Sequence, residues 1–476
     1  MSYVGLRKSR FLHSYLPSKD LRDDVVKRYL LIGNVGTVKM LKLLILCVLT
    51  VASKVYGAPQ WNKYQRYLEN PSVDRFREYL RIDTSQEENI NRAVEFWVRQ
   101  ATEANLTYTI YQPAGLPIFV ATLAGSDPTL PSIMLNSHMD VVPVDEAAWK
   151  YPPFEAYMDQ NGDIYARGAQ DAKDVAIQYI EAIRRIKKEN VTLLRTVHIT
   201  MMPDEETGGY KGMQAFVKSK VFKSLNIGFA LDEGLASTDD SLYATFLDRR
   251  PWQMRFVIHG VGGHGYAMPD NSAMEKANKL INAVMRYRDG QKAIVKAKET
   301  DDFLGYNSLN INVIQGGLAV NIVPSSMELA IDMRLSPDAN PLEMEALVNS
   351  WMREAGNGTE LSFKRHENSS VLTPVDDTNP YWVALRNTLN NMGIRVNPIV
   401  LAATSDSLYI RNVGIPALGF AAKSNTVGRY HTENEYLNVK TFLKGIDIYT
   451  ELIKSLANVP SHSSNFLEAF NSKTDC

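Results

Sequence analysis

Apolar residues recur at spacings of three and four from 61 to 104, first Val73, Phe76, Tyr79 and Leu80 and then Ala93, Phe96 and Trp97. That is the period of helix with one buried face. Strand-like runs follow at 106–112, 117–123 and 132–137. The last, Ile133-Met134-Leu135-Asn136-Ser137, is nearly unbroken, as in a strand covered on both faces. Behind Arg167-Gly168-Ala169-Gln170-Asp171 an amphipathic helix aligns Ala176, Tyr179, Ile180 and Ile183. Two more buried-type strands are expected at 196–202 and 227–231. Strands alternating with helices predict an α/β fold with a mixed, mostly parallel sheet between helices.

The pattern changes near 250. Trp252, Met254, Phe256 and Ile258 alternate with polar residues, as in a strand with one wet face. A helix carrying Ala277, Leu280, Ile281 and Val284 follows, then alternating strands at Leu309, Ile311 and Val313 and at Met327, Leu329, Ile331 and Met333. A helix over 341–354 and a strand over 360–363 complete the order β-α-β-β-α-β, the ferredoxin-like split βαβ arrangement. Residues 249–369 are therefore expected to form a domain inserted into a discontinuous one, 58–248 with 370–459. In the second part a helix is expected at 380–391, strands near 396–402 and 416–421, and a last helix over 437–457. The Ser- and Asn-rich stretch 460–476 is expected to be a flexible tail.

With 476 residues, 45% of them hydrophobic, the chain can build two domains and a substantial core. Its 52 basic and 53 acidic side chains leave no broad positive footprint, which argues against nucleic acid and for a small or peptide-like substrate. Only Cys47 and Cys476 are available, so neither a disulfide framework nor a thiolate zinc site is possible. Any metal must be held by His, Asp and Glu. Residues 1–57 read as a leader. A basic stretch precedes the apolar run from Leu43 to Ala52, and Val55-Tyr56-Gly57 forms a small-residue cleavage pattern. The run is short for a membrane span but fits a secretory signal. Secretion without stable membrane insertion is expected, with a mature chain from about Ala58. The start could be Met40, and the alternatives are an uncleaved anchor or buried helix, with a cytoplasmic protein if the segment is not used. Sequons at Asn105, Asn190, Asn357 and Asn368 agree with secretion, though weakly.

Polar groups sit where buried strands end. His138 and Asp140 follow one strand, Asp204-Glu205-Glu206-Thr207-Gly208-Gly209 another, and Asp232-Glu233-Gly234 a third. Asp171 opens a helix between them, and His431 precedes the last helix. Strands running the same way bring such ends into one cleft. Taken singly, the acidic hexapeptide is a solvated turn, Asp171 a helix cap and His431 a surface side chain. His198 and His259, inside strand patterns, read as structural. Together, the two imidazoles at strand and helix ends and several carboxylates without thiolate suit a pair of borderline ions such as zinc. A water shared by such a pair becomes a nucleophile near neutral pH, and a free carboxylate can take its proton. As neighbours in an extended segment, Glu205 and Glu206 are expected to point opposite ways, one to metal and one to the water.

The segments Ser137-His138-Met139-Asp140, Arg167-Gly168-Ala169-Gln170-Asp171, Pro203-Asp204-Glu205-Glu206-Thr207-Gly208-Gly209, Asp232-Glu233-Gly234 and Gly263-His264-Gly265 resemble the aminoacylase-1 branch of the di-zinc metallopeptidase family. The resemblance runs from about Pro59 to Pro460 and includes Asn321-Ile322-Val323-Pro324, Asp332-Met333-Arg334 and Tyr409-Ile410-Arg411. It implies two zinc ions per subunit, one on His138 and Glu233, the other on Glu206 and His431, with Asp171 bridging. Asp140 would orient His138, and Glu205 would be the general base and then the acid. The inserted domain would form a homodimer and supply His264 in trans to the oxyanion, aided by Asn321. Arg334 and Arg411 would grip the substrate carboxylate. The implied reaction is zinc-dependent hydrolysis of N-acyl-L-amino acids to a carboxylate and a free amino acid. Its rivals are a preference for long-chain N-acyl amino acids or dipeptides, and an inactive binding protein on the same scaffold. Two features depart from the family: Tyr266 stands where a small residue is common, and the signal-like leader sets the chain apart from the cytosolic aminoacylases.

Overall fold

The computed structural model describes residues 64–298, 304–460, 466–467 and 470. The signal-like segment, both cysteines and most of the expected tail lie outside them.

The chain begins its described course with helices α1 (Pro71–Leu80) and α2 (Ile90–Glu103). Asn70 starts α1, its side chain accepting from the Ser72 amide with a proline at the first helical turn. The helical period of 61–104 is thus broken between the two. There the Thr84 carbonyl takes the Val141 amide (3.3 Å), so the break supports the chain just beyond His138.

Next come β1 (Thr107–Tyr111), β2 (Ile118–Leu123), β3 (Ser132–His138), the short β4 (Tyr157–Met158) and β5 (Asp163–Tyr165), then α3 (Lys173–Lys188) and β6 (Val197–Met202). They are followed by α4 (Met213–Phe216), α5 (Lys220–Ser224), β7 (Ile227–Asp232), β8 (Leu242–Asp248), β9 (Arg250–His259), β10 (Gly263–His264), α6 (Ala273–Ala297), β11 (Ser308–Gly316), β12 (Ile322–Val323) and β13 (Ser326–Leu335). The remaining elements are α7 (Pro341–Ala355), β14 (Thr359–His366), α8 (Pro380–Asn391), β15 (Val396–Leu401), α9 (Ser407–Asn412), β16 (Ala417–Phe420), β17 (Tyr436–Asn438) and α10 (Val439–Ala457).

Eight strands form the main sheet in the order β1-β2-β6-β3-β7-β16-β8-β15. Strand β3 runs parallel to both β6 and β7, with His138 opposite Met202 and Leu135 opposite Leu231. The three therefore end at one edge of the sheet. Every position of β3, β6 and β7 is buried, which explains their unbroken apolar runs. Helices α3 and α10 pack on each other and against β3. Met134 and Ala230 join a cluster with Met213, Phe216, Phe222, Leu408 and Ile410, so helices cover the sheet.

The second sheet has the order β11-β13-β9-β14, all antiparallel. Numbered within β-α-β-β-α-β, its strands lie 2-3-1-4, the ferredoxin-like order. Trp252, Met254, Phe256 and Ile258 alternate inward against Leu280 and Val284 of α6 and Val348 and Trp351 of α7. Strands β10 and β12 form a separate ribbon, and β17-β5-β4 a small third sheet that periodicity does not predict because its strands are so short. Among the described residues no helix is long and apolar enough to cross a membrane.

Candidate metal centre

Parallel β6, β3 and β7 deliver the acidic turn, His138 and Glu233 to one place. Asp140 fixes the turn: its two oxygens accept the amides of Glu205 (3.2 Å) and Glu206 (3.0 Å). It also fixes the imidazole. Nδ1 of His138 lies 2.8 Å from the Asp140 main-chain carbonyl and 3.7 Å from its carboxylate, so the main-chain oxygen is the closer partner. Donating through Nδ1 leaves Nε2 with its lone pair for the site.

That Nε2 is 3.2 Å from one oxygen of Asp171 and 3.3 Å from Glu233. Nε2 of His431 is 3.2 Å from the other oxygen of Asp171 and 2.9 Å from Glu206. Asp171 thus lies between the histidines, in the turn before α3 rather than as its cap. Glu205 has a carboxylate oxygen within 4.8 Å of the donor atoms of His138 and Glu233, but pairs with neither histidine. The two glutamates do not lie in an extended segment as expected. They occupy a turn closed by Gly208 N to Glu205 O (2.8 Å) and Gly209 N to Asp204 O (2.6 Å), and the turn is what separates their carboxylates.

Four buried or half-buried carboxylates around two imidazoles make a strongly negative site. Burial, then the charge of Glu233, pushes the Glu205 carboxyl well above the usual range. Glu206 rises through burial and then Asp171. Glu233 rises to about 8, chiefly through burial, with Asp171 reinforcing and His138 opposing. Asp171 alone goes down: burial resists, but hydrogen bonds from both histidines prevail. His431 is raised to about 10 by its bonds to Asp171 and Glu206, while His138 is raised against its burial by Glu233, Asp140 and Asp171. The group holds protons because it lacks positive charge, which divalent cations would supply. Oε1 of Glu206 is buried without a hydrogen-bond partner and is a ready donor. Imidazole nitrogens and carboxylate oxygens suit borderline ions, so the residues present fit a metal pair.

The structure also exposes participants that the motifs did not reveal. Asp406 is buried behind the site, one oxygen accepting from Asn136 (3.1 Å) and the other unpartnered. Burial and then Asp232 raise its carboxyl well above the usual range, and its charge is felt by Glu205. The polar triplet Thr404-Ser405-Asp406 after a strand was the available signal.

The remaining expected site residues fall elsewhere. His264 is exposed on the β10–β12 ribbon, where Gly265 N donates to the carbonyl of Asn321 (2.7 Å). His264 and Asn321 are thus neighbours, but among the described residues neither is bonded to the carboxylate group. Arg334 is half-buried, with Nε on Asp332 (2.9 Å) and Nη1 on Thr404 (3.1 Å), joining the second sheet to the segment after β15. Arg411 is corrected. It is fully buried, with Nη2 on Asp248 (2.6 Å) and Nη1 on the Ala417 carbonyl (3.0 Å), because α9 packs it inward, and it offers no fork to a substrate. His198 bonds Thr122 within the main sheet (2.9 Å), and burial lowers its pKa to about 4. His259 pairs with Glu360 at the surface (3.4 Å).

The sequence profile of peptidase family M20/M25/M40 matches residues 134–455, which contain the whole group. The chain is similar to aminoacylase-1A of Rattus norvegicus, 42% identical over 395 residues that cover 83% of this chain and 97% of that one. In fold it resembles an M20-family metallo-carboxypeptidase from Sulfolobus solfataricus (TM-score 0.68, 19% identity, 82% of this chain and 99% of that one). It also resembles a Bacillus subtilis protein described as a dinuclear metal-binding peptidase of the M20 family (TM-score 0.58, 14% identity, 83% and 100%). The strand-end histidine, the aspartate set between two imidazoles, the paired glutamates and the near-complete match to a relative of this kind lead to one conclusion: the chain belongs to peptidase family M20/M25/M40 and is a metal-dependent amide hydrolase.

Proposed function

We propose that the chain cleaves N-acyl-L-amino acids to a carboxylate and a free L-amino acid, using two zinc ions. The observation that carries this reading is Asp171 set between His138 and His431, with Glu205 left outside every histidine pair, in a chain similar to an aminoacylase along most of its length. His138 and Glu233 would hold one ion, Glu206 and His431 the other, with Asp171 shared. Such ions supply Lewis-acid polarisation of the amide carbonyl and lower the pKa of a water. Glu205 would take a proton from the attacking water as its oxygen adds to the carbonyl carbon, and then give it to the nitrogen as the C–N bond breaks. Its burial favours the neutral form, which suits a group that must take up the proton and keep it until the nitrogen leaves. Asp140 keeps Glu205 and His138 in register by holding both. Arg334 is the remaining guanidinium for the substrate carboxylate.

Purified zinc-loaded protein should turn over N-acetyl-L-methionine with a kcat/KM at least roughly 10-fold above that for a dipeptide or a fatty-acyl amino acid. A dipeptide or fatty-acyl substrate that outruns it would replace this reading with the corresponding rival.

We further propose that two chains pair through the second sheet and that His264 completes the partner's site. Tyr266, Met268, Leu318 and Val320 crowd the ribbon that bears His264, with Met268 96% and Leu318 92% exposed, which is unusual for apolar side chains that face only water. Mixing His264→Ala chains with Glu205→Gln chains should then restore on the order of a quarter of wild-type activity, since half the dimers are mixed and each has one intact site. Mixed dimers that form but stay inactive would show that His264 does not act across the pair.

A further inference from the structure

Asp171 and His431 are 260 residues apart in sequence, numbering 171 against 431, yet they meet at 3.2 Å. At the centre of the bonds that hold their segments together is one carboxylate that does not enter the metal group. Glu435 is completely buried. Its Oε2 accepts from Arg167 (2.8 Å) and the Gly168 amide (3.1 Å), and its Oε1 from the amides of Gln170 (2.6 Å) and Asp171 (3.3 Å). Its own carbonyl accepts the Ala166 amide (3.1 Å). The bonds run outward in both directions. Arg167 also donates to the Thr432 carbonyl (3.1 Å), next to His431, and Gln170 to the Tyr436 carbonyl (2.7 Å). The turn that presents Asp171 is thus wrapped around the side chain four positions past His431.

We propose that Glu435 is a positioning residue that sets Asp171 against His431, so that the ion between them depends on a carboxylate that touches neither ion nor substrate. The proposal rests on the reading that the group holds divalent ions. The chemistry of the side chain makes it specific. A carboxylate presents two acceptor oxygens to four donors, whereas an amide presents one oxygen and turns an NH2 toward N–H groups. Glu435→Gln therefore loses the bonds of one oxygen entirely and leaves Arg167 buried without its counter-charge. The nearby pair of acids in Thr432-Glu433-Asn434-Glu435 was visible in the sequence, but nothing there distinguishes the buried one.

Zinc affinity, measured by competition with a chromogenic chelator together with zinc content, tests this without reference to turnover. The wild-type chain should bind two zinc ions. In Glu435→Gln one of them should weaken by roughly 10- to 100-fold, the effect typical of residues that orient metal ligands, while the other changes little. Glu181→Gln is the comparison: it too removes a buried carboxylate, one that holds Arg75 (2.7 Å) and Ser72 (2.5 Å), and it should lower the unfolding temperature without altering zinc affinity. Should Glu435→Gln fail to fold, Arg167→Lys, which keeps the charge but loses the planar Nη1 that joins Glu435 to the Thr432 carbonyl, should show weakening at the same site. Wild-type affinity at both sites in the variant that folds, or weakening matched by Glu181→Gln, overturns the positioning role. A wild-type chain that binds no zinc overturns the metal reading beneath it, and the positioning role with it.

Discussion

Glu205→Gln should lower kcat by roughly 10⁴-fold, the upper end of what a single general acid–base contributes, and leave the metal content of the protein unchanged. The change keeps the shape of the side chain. The amide of residue 205 still bonds Asp140 at 3.2 Å, so the turn stays in place. Among the described residues no histidine pairs with the Glu205 carboxylate, so both imidazoles keep their partners when it is neutralised. Glu206→Gln is the contrast, since Glu206 lies 2.9 Å from His431 and its loss should release metal. The pH profile carries a second signature. Glu205 accepts a proton only when ionised, and its burial favours the neutral form, so the wild-type rate should fall as pH drops and the carboxyl takes up its proton. The limb should be missing from the residual rate of the variant. Turnover within tenfold of wild type would remove Glu205 from the proton transfers, and joint loss of metal and activity would make it a ligand instead.

What was legible in the sequence follows from where local pattern and tertiary environment agree. Strand β3 is buried on both faces, so its apolar run and its polar end at His138 could be read directly. Strands β9 and β13 are covered on one face by α6 and α7, and their alternation gave the ferredoxin-like unit. Where a side chain's role depends on a distant partner, the pattern is silent. Asp248 and Arg411 are paired across the fold, and Glu435 serves backbone amides that carry no side-chain signal at all. The Glu205–Glu206 turn misled for a local reason. Gly208 and Gly209 both adopt positive φ, 115° and 71°, which closes the turn immediately after the strand. The diglycine was the available clue that the segment could not continue as extended chain.

Arg411→Met should destabilise the fold by about 3–5 kcal/mol while leaving KM for any substrate unaltered in the protein that remains folded. Both members of its ion pair with Asp248 have fully buried side chains, so removing the guanidinium strands a carboxylate where water cannot reach it. Asp248 keeps only Ser405, whose amide and hydroxyl each donate to its other oxygen at 2.9 Å. The Ala417 carbonyl at the start of β16 loses its Arg411 donor as well, although Thr373 still bonds it at 2.7 Å. The loss should register as a lower denaturation midpoint. Adding Asp248→Asn should recover part of it, because the buried charge then disappears with its partner and the two effects are not additive. A direct role at the substrate carboxylate predicts the reverse, a KM raised by about 10²-fold with the midpoint unmoved, since a lost charge-assisted fork is worth about 1.5–3 kcal/mol of binding. The two outcomes separate cleanly because a guanidinium with no exposed surface cannot reach a ligand without first leaving Asp248, which strands that buried carboxylate. The bonds of Arg411 tie α9 to Asp248 of β8 and to the Ala417 carbonyl of β16, so its expected effect is on the stability of that corner of the fold.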